Sequence, residues 1–182
     1  MSSEEELWQT YSSNGQAQNK AVRPSLARSD DSIIEGAVHV WIWRKSEIGL
    51  EILLQQRAHD KVTFPGMYDI SAAGHVDANE TLLEAVKREC KEEINLDIDP
   101  KVLEYVFSYR NFKSGIKWVY LYRLINNVKF VLNDGEVESL QWVPFEKFTE
   151  MALAPQNHGL VQHPPEYFSL LLKAFKHFDE DN

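Results

Sequence analysis

Residues 81–96 read Thr-Leu-Leu-Glu-Ala-Val-Lys-Arg-Glu-Cys-Lys-Glu-Glu-Ile-Asn-Leu, and this stretch limits the fold more than any other. Thr81 and Glu84 have the spacing of a capping box, in which each side chain satisfies a backbone N–H at the helix start. The helix they open runs to about Ile94 and stops at Asn95, a residue that tolerates the left-handed backbone of a helix end. At about 100° per residue, Leu83, Val86, Cys90 and Ile94 form an apolar stripe that must face a core. Glu89, Glu92 and Glu93 adjoin that stripe at spacings i, i+3 and i+4, with small Ala85 one turn earlier. Lys87, Lys91 and Glu84 take the solvated side. Like charges so placed cost roughly 0.2–0.5 kcal/mol per pair. They also lie toward the helix C-terminus, where the helix dipole disfavours negative charge. Carboxylates kept at the border of core and solvent against both penalties point to a bound cation. Hard oxygen ligands completed by water suit Mg²⁺, with Mn²⁺ as the alternative. On spacing alone, a solvated acidic helix end paired with Lys87, Arg88 and Lys91 is the competing reading.

The remainder of the chain predicts a mixed α/β sandwich with a sheet covered by few helices. Gly36–Arg44, rich in β-branched and aromatic residues, reads as a strand, with Glu51–Gln56 as its hairpin partner. Pro65-Gly66 marks a turn before a short strand over Asp69–Ala73, and Gly74–Glu80 is a polar loop. Val102–Arg110 and Trp118–Ile125 read as long strands around Lys113-Ser114-Gly115. Asn133-Asp134-Gly135 is a further turn, and Val137–Val143 a further strand. Pro144 begins a short helix. Pro164-Pro165 begin the last one, with Tyr167, Leu170, Leu171, Ala174, Phe175 and Phe178 at helical spacing. Residues 1–35 form an N-terminal segment with a short strand at Leu7–Tyr11 and a turn at Asn14-Gly15, partly flexible over 1–6 and 20–34. Residues 36–182 carry the main body, in one domain overall.

Charge and cysteine content narrow the partners. With 28 acidic against 19 basic residues the net charge is −9, which argues against a general nucleic-acid binder. The single cysteine, Cys90, excludes an internal disulfide and suits a reducing compartment. No apolar run reaches membrane-spanning length. The N-terminus is acidic where a signal peptide would be basic and apolar, so the default location is cytoplasmic.

From Gly74 to Leu96 the chain reads G-HVDAN-E-TLLEAVK-R-E-C-K-E-E-I-N-L, which resembles the Nudix box, G-x5-E-x7-R-E-U-x-E-E-x-G-U with U apolar. Gly74, Glu80, Arg88, Glu89, Cys90, Glu92, Glu93 and Leu96 all match. The single departure is Asn95 in place of the last glycine, a mild change because asparagine accepts a left-handed backbone. Residues 53–76 and the preceding AVHVWIW resemble the branch that also holds type I isopentenyl-diphosphate isomerases, and are most similar to its bacterial hydrolase-like members. The resemblance implies an α/β/α sandwich around a mixed β-sheet, with the box as loop–helix–loop. It also implies an Mg²⁺-dependent hydrolase that cleaves a diphosphate linkage in a nucleoside diphosphate-X compound by attack of water at phosphorus.

Carried over by position, the resemblance makes Glu89, Glu92 and Glu93 metal ligands, with the Gly74 carbonyl as a further one. Glu89, Glu92 and Arg88 become the catalytic candidates, Glu89 as base and Arg88 orienting a carboxylate. Glu80 serves the loop. A carboxylate outside the box is often recruited, and Glu136 and Glu138 are the candidates. The isomerase reading needs a cysteine just before the box, where this chain has Ser71-Ala72-Ala73-Gly74-His75. It also needs histidines where Glu35 and Arg28 stand, so only His75 matches. A non-catalytic nucleotide-binding module is the other alternative.

Substrate-choosing residues lie outside the box. Arg57, Phe64 and Tyr109 are the candidate substrate contacts. Arg110, Lys113 and Lys117 are further cations, and Trp41, Trp43, Phe112, Trp118 and Tyr120 are further aromatics whose plain role is packing. The expected partner is a small-molecule diphosphate. Oligomeric state stays open, a homodimer being the candidate.

Overall fold

Along Gly36–Ser46 (β3) side chains alternate between two apolar layers, and the fold is arranged around that strand. Val38, Val40 and Ile42 face one layer, while Trp41 and Trp43 face the other. A strand buried on both faces needs cover on both. One cover is α2 (Leu82–Ile94), which contributes Ala85, Val86, Cys90 and Ile94. The other is α3 (Phe145–Leu153) with α5 (Pro165–Glu180), which contribute Phe148, Tyr167, Leu171 and Phe175. The result is the predicted α/β sandwich. The computed structural model describes residues 6–111, 115–132 and 135–180, so Phe112, Lys113, Ser114, Asn133 and Asp134 lie outside the described residues.

The sheet is mixed. β3 runs parallel to β8 (Gly115–Arg123), from Gly36 opposite Ile116 to Trp43 opposite Arg123, and β7 (Leu103–Asn111) lies antiparallel beyond it. On its other edge β3 pairs with β4 (Gly49–Arg57) only over Trp43–Ser46, and β9 (Val137–Pro144) lines the far side of β4. Halfway along, β3 changes partner: Ala37–Val40 pair with β6 (Ala72–His75), while the end of β4 pairs with β5 (Tyr68–Asp69). Fully buried Ser71 sits at this fork. Its hydroxyl accepts from the Ile42 N–H at 2.8 Å and donates to the Leu53 carbonyl at 2.5 Å, satisfying two backbone groups that the parting strands leave without ladder partners. The single strand expected over Asp69–Ala73 is therefore two short ones with Ser71 between them.

The N-terminal segment is more ordered than its composition predicts. β1 (Trp8–Tyr11) and β2 (Ala17–Val22) form a hairpin, followed by α1 (Pro24–Ser29), within the 20–34 stretch expected to be partly flexible. Trp8, Val22 and Ala27 share a small buried cluster. The signal was weak because β2 is polar and mostly exposed. β1 is bound to the loop before α2, with the Gln9 N–H donating to Val76 at 2.9 Å and the Ala78 N–H to Leu7 at 2.8 Å. Leu83, assigned by the wheel to the core stripe, is exposed in the first turn of α2, and Ala85 takes its place inside. A short helix α4 (Pro155–His158) follows α3. Among the described residues no helix is long and apolar enough to cross a membrane.

Candidate active site

The capping box forms as its spacing predicts: the Thr81 hydroxyl accepts from the Glu84 N–H, and the Glu84 carboxylate accepts from the Thr81 N–H. At the other end Asn95 takes a left-handed backbone (φ 53°), the conformation that the departure from glycine called for. The helix so delimited packs against β6. Gly74 lies so close to it that a Cβ there would run into the Glu89 carboxyl group. One turn on, buried Glu93 accepts a hydrogen bond from the Ala73 N–H at 3.1 Å. Glu92 is exposed at the rim.

Arg88 joins the helix to the loop before it. Its Nε and Nη2 donate to the two oxygens of Glu80 at 2.9 and 3.0 Å, and Nη2 also donates to the His75 carbonyl at 2.7 Å. Nη1 donates to Glu89 at 2.7 Å and to Glu92 at 3.2 Å. Glu80 in turn accepts from the Asp77 N–H at 2.9 Å, so it orders the loop, as expected of it. Burial works against the Arg88 charge, but Glu80 and Glu89 outweigh it and hold the guanidinium firmly protonated. Burial also pushes Glu89 up to about 7, although Arg88 pulls it down. Both partners shift upward for different reasons: the carboxylates around Arg88 favour its charge, whereas for Glu89 the cost of burial outweighs the pull of Arg88, which also meets Asp77, Glu80 and Glu92.

Among the described residues no three Asp, Glu, His or Cys side chains are already grouped to hold a metal ion, since Arg88 engages Glu89 and Glu92. The donors nonetheless fit a hard divalent cation. They are oxygens only, Glu89 lies against a glycine with no room for a side chain, and burial keeps Glu89 raised in spite of Arg88. This sets the sign of a pH dependence. A carboxyl group whose folded pKa is raised stabilises the fold fully below the unfolded value, 4.5, and that contribution is lost as pH rises through about 7. In chelator, the wild type is expected to lose roughly 3 kcal/mol of unfolding free energy relative to Glu89→Gln between pH 4.5 and 8. Denaturant titrations of both proteins across that range check it. Parallel pH profiles would refute the burial of the Glu89 charge.

The glutamates open onto a cleft of about 680 Å³, whose other walls carry Arg28, Arg57, Lys61 and Glu136. An adjoining chamber of about 860 Å³ shares Arg28, Lys61, His75 and Glu136, and adds Phe64, Glu35 and Lys117. Arg57 borders the cleft but is committed to its loop: it donates to the Thr63 carbonyl at 3.0 Å and Thr63 Oγ1 at 3.2 Å, and meets Asp69 at 3.3 Å. Phe64 stands half-exposed on the chamber wall with φ 52°. Glu136, just before β9, reaches the cleft and pairs with Lys61 at 2.7 Å, while Glu138 on β9 lines neither space. Tyr109 also lines neither; it packs edge-on to Tyr167 on the α5 side. Arg110 donates to the Ser13 carbonyl at 3.2 Å. Trp41 and Trp43 are core residues. Cys90 lies fully buried on the apolar stripe.

Sequence reasoning did not place Trp8 here, and reached Arg28 only as a position where the isomerase pattern has a histidine. Trp8 stacks on His75 with ring centroids 3.4 Å apart, and the Arg28 guanidinium lies 5.0 Å over the Trp8 ring. The strand holding Trp8 was legible, but nothing local says onto which face a short strand docks.

Known proteins agree with this architecture. Nudix hydrolase 3 of Arabidopsis thaliana is 32% identical over 124 residues, which are 62% of this chain and 16% of that protein. The uncharacterised Nudix hydrolase YfcD of Escherichia coli K12 is 34% identical over 99 residues, 54% of each chain. The isopentenyl-diphosphate Delta-isomerase of Cutibacterium acnes is 36% identical over 72 residues, 38% of this chain and 36% of the isomerase. The chain thus spans about half or less of these relatives' lengths. In structure, DR0079 of Deinococcus radiodurans superposes with a TM-score of 0.69 at 19% identity, over 90% of this chain and 97% of that one. The NUDIX domain family matches residues 35–163, a span that holds the whole box, α2 and α3 and stops before α5, and the chain belongs to that family.

Proposed function

We propose that the chain is a divalent-cation-dependent hydrolase that cleaves a diphosphate linkage in a nucleoside diphosphate-X compound by attack of water at phosphorus. One observation carries this: a buried glutamate, lifted to about 7, lies against a glycine strand in an open cleft whose opposite wall is cationic. The hydrolase names of the relatives from Arabidopsis and E. coli support it.

Mg²⁺, or Mn²⁺, would be held by Glu89, Glu93, Glu92 and the Gly74 carbonyl, and would supply neutralisation of phosphate charge. The protein's own groups do the rest. Arg28 and Lys61 line the same cleft as the carboxylates and draw in the phosphates. Glu89 takes the proton of the attacking water: a new P–O bond forms, the bridging P–O bond breaks, and the departing phosphate leaves with the electron pair. A base with a pKa near working pH suits that task. Arg88 holds the Glu89 carboxylate in one orientation, and the Ala73 N–H does the same for Glu93. The isomerase route lacks its thiol, since the only cysteine is Cys90 in the core.

The test is an assay in Mg²⁺ against nucleoside triphosphates, ADP-ribose, NADH, nucleotide sugars, CoA and isopentenyl diphosphate. Phosphate-ester products from at least one diphosphate are expected, and none after chelation. Absence of turnover across the panel, or conversion of isopentenyl to dimethylallyl diphosphate, would overturn the proposal.

A further inference from the structure

Strand register places three polar side chains in one row beside the box. His75 of β6 and Lys117 of β8 both lie opposite Ala37 of β3, one on each side, and Glu35 precedes Ala37 by two residues. Neighbours across a ladder share a face, as do residues two apart along a strand, so all three surround the small Ala37 side chain. Two members of the row are largely buried, Glu35 at 11% and Lys117 at 14% exposed, His75 is partly open at 31%, and all three line the chamber that adjoins the glutamate cleft. Glu35 is also rigidly set. Its carbonyl accepts from the Ile116 N–H at 2.9 Å, a Cβ on Gly115 would strike that carbonyl, and Thr10 of β1 bridges it from the other side.

The row is loosely spaced. Glu35 Oε1 forms a long ion pair with Lys117 Nζ at 3.8 Å and lies 4.0 Å from His75 Nε2, both beyond hydrogen-bonding distance. Gaps of that length leave room for a third group to bridge the charges. A single hydroxyl oxygen fits, donating to Glu35 and accepting from Lys117. The Glu35–Lys117 pair has no net charge, which gives no advantage to a further phosphate and favours a neutral group rich in hydroxyls.

Resting on the hydrolase reading, we propose that Glu35, Lys117 and His75 form a glycosyl subsite, so that the preferred substrate is a diphosphate whose departing or retained group is a sugar held by its hydroxyls. Phosphate chemistry then takes place at the box and substrate choice across the edge of β6. Trp8, stacked on His75, sets the imidazole plane of the subsite.

Calorimetry in Mg²⁺ with two probes tests this. One is the α,β-methylene analogue of ADP-ribose, whose P–C–P bridge resists cleavage. The other is methylene diphosphonate, which has no hydroxyl-bearing group. In Lys117→Met and Glu35→Gln the affinity for the ADP-ribose analogue is expected to fall by about tenfold or more, while that for the diphosphonate stays within about twofold of wild type. The retained diphosphonate binding also shows that the variants are folded. Unchanged affinity for the ADP-ribose analogue would mean that the row holds only water, and would overturn the subsite while leaving the hydrolase reading standing. Equal losses for both probes would likewise overturn it. Failure of wild type to bind either probe would remove the hydrolase reading together with the subsite.

Discussion

In Glu89→Gln, Mg²⁺-dependent cleavage is expected to fall by on the order of 10³-fold or more, because one substitution removes both a base and an anionic ligand. The exchange is nearly isosteric, and the introduced amide retains an oxygen that can accept from Arg88, so the loss is not one of folding. Glu89 is the glutamate whose carboxyl group touches Gly74, and it carries the raised pKa. Glu92, 56% exposed and tied to Arg88 only at 3.2 Å, is expected to lose much less activity in the same exchange. Steady-state rates with Mg²⁺ varied at fixed substrate measure both. If Glu89→Gln kept more than about a tenth of wild-type activity, the general base would have to be sought elsewhere.

Arg88→Met is expected to be the most damaging change for stability, about 3–5 kcal/mol at pH 8 in chelator. The methionine keeps the aliphatic stem but strands Glu80 and Glu89, each only 12% exposed, and frees the His75 carbonyl. With Arg88 gone, Glu89, already raised by burial, is pushed up further. The penalty of ionising it is then absent at low pH and grows as pH rises through its folded value, so the deficit against wild type should be smaller at pH 5 than at pH 8. Saturating Mg²⁺ should restore part of it by supplying the missing positive charge. Urea unfolding at the two pH values, with and without the cation, decides the matter. A deficit of equal size at both would assign Arg88 a packing role only.

Much of the site was legible because it is local. The capping box, the left-handed Asn95 and the side of α2 that carries Glu89 and Glu93 all follow from spacings of a few residues. Contacts that depend on register between distant strands were not. Lys117 was visible as a cation, but its pairing with Glu35 requires the parallel β3–β8 alignment. Tyr109 reads the same whether it faces a ligand or α5, and only the fold shows it against Tyr167. The split of the Asp69–Ala73 strand depends on where two other strands diverge. Glu136 and Glu138 were equal candidates by composition, and only the fold shows that Glu136, just before β9 begins, reaches the cleft while Glu138 on β9 does not.

The fork held by Ser71 bears on how such a protein can diversify. Beyond it the residues joining β4 to β5, 58–67, belong to neither ladder, so their number can change without shifting the alignment of β3 with β6. The glutamates hang from β6 and α2, while Phe64 and Lys61 hang from that connection. Lengthening or rewriting the connection would re-select what enters the cleft and leave the glutamates of α2 untouched. The two halves of the cleft can therefore change at different rates, with one buried hydroxyl keeping the seam between them closed.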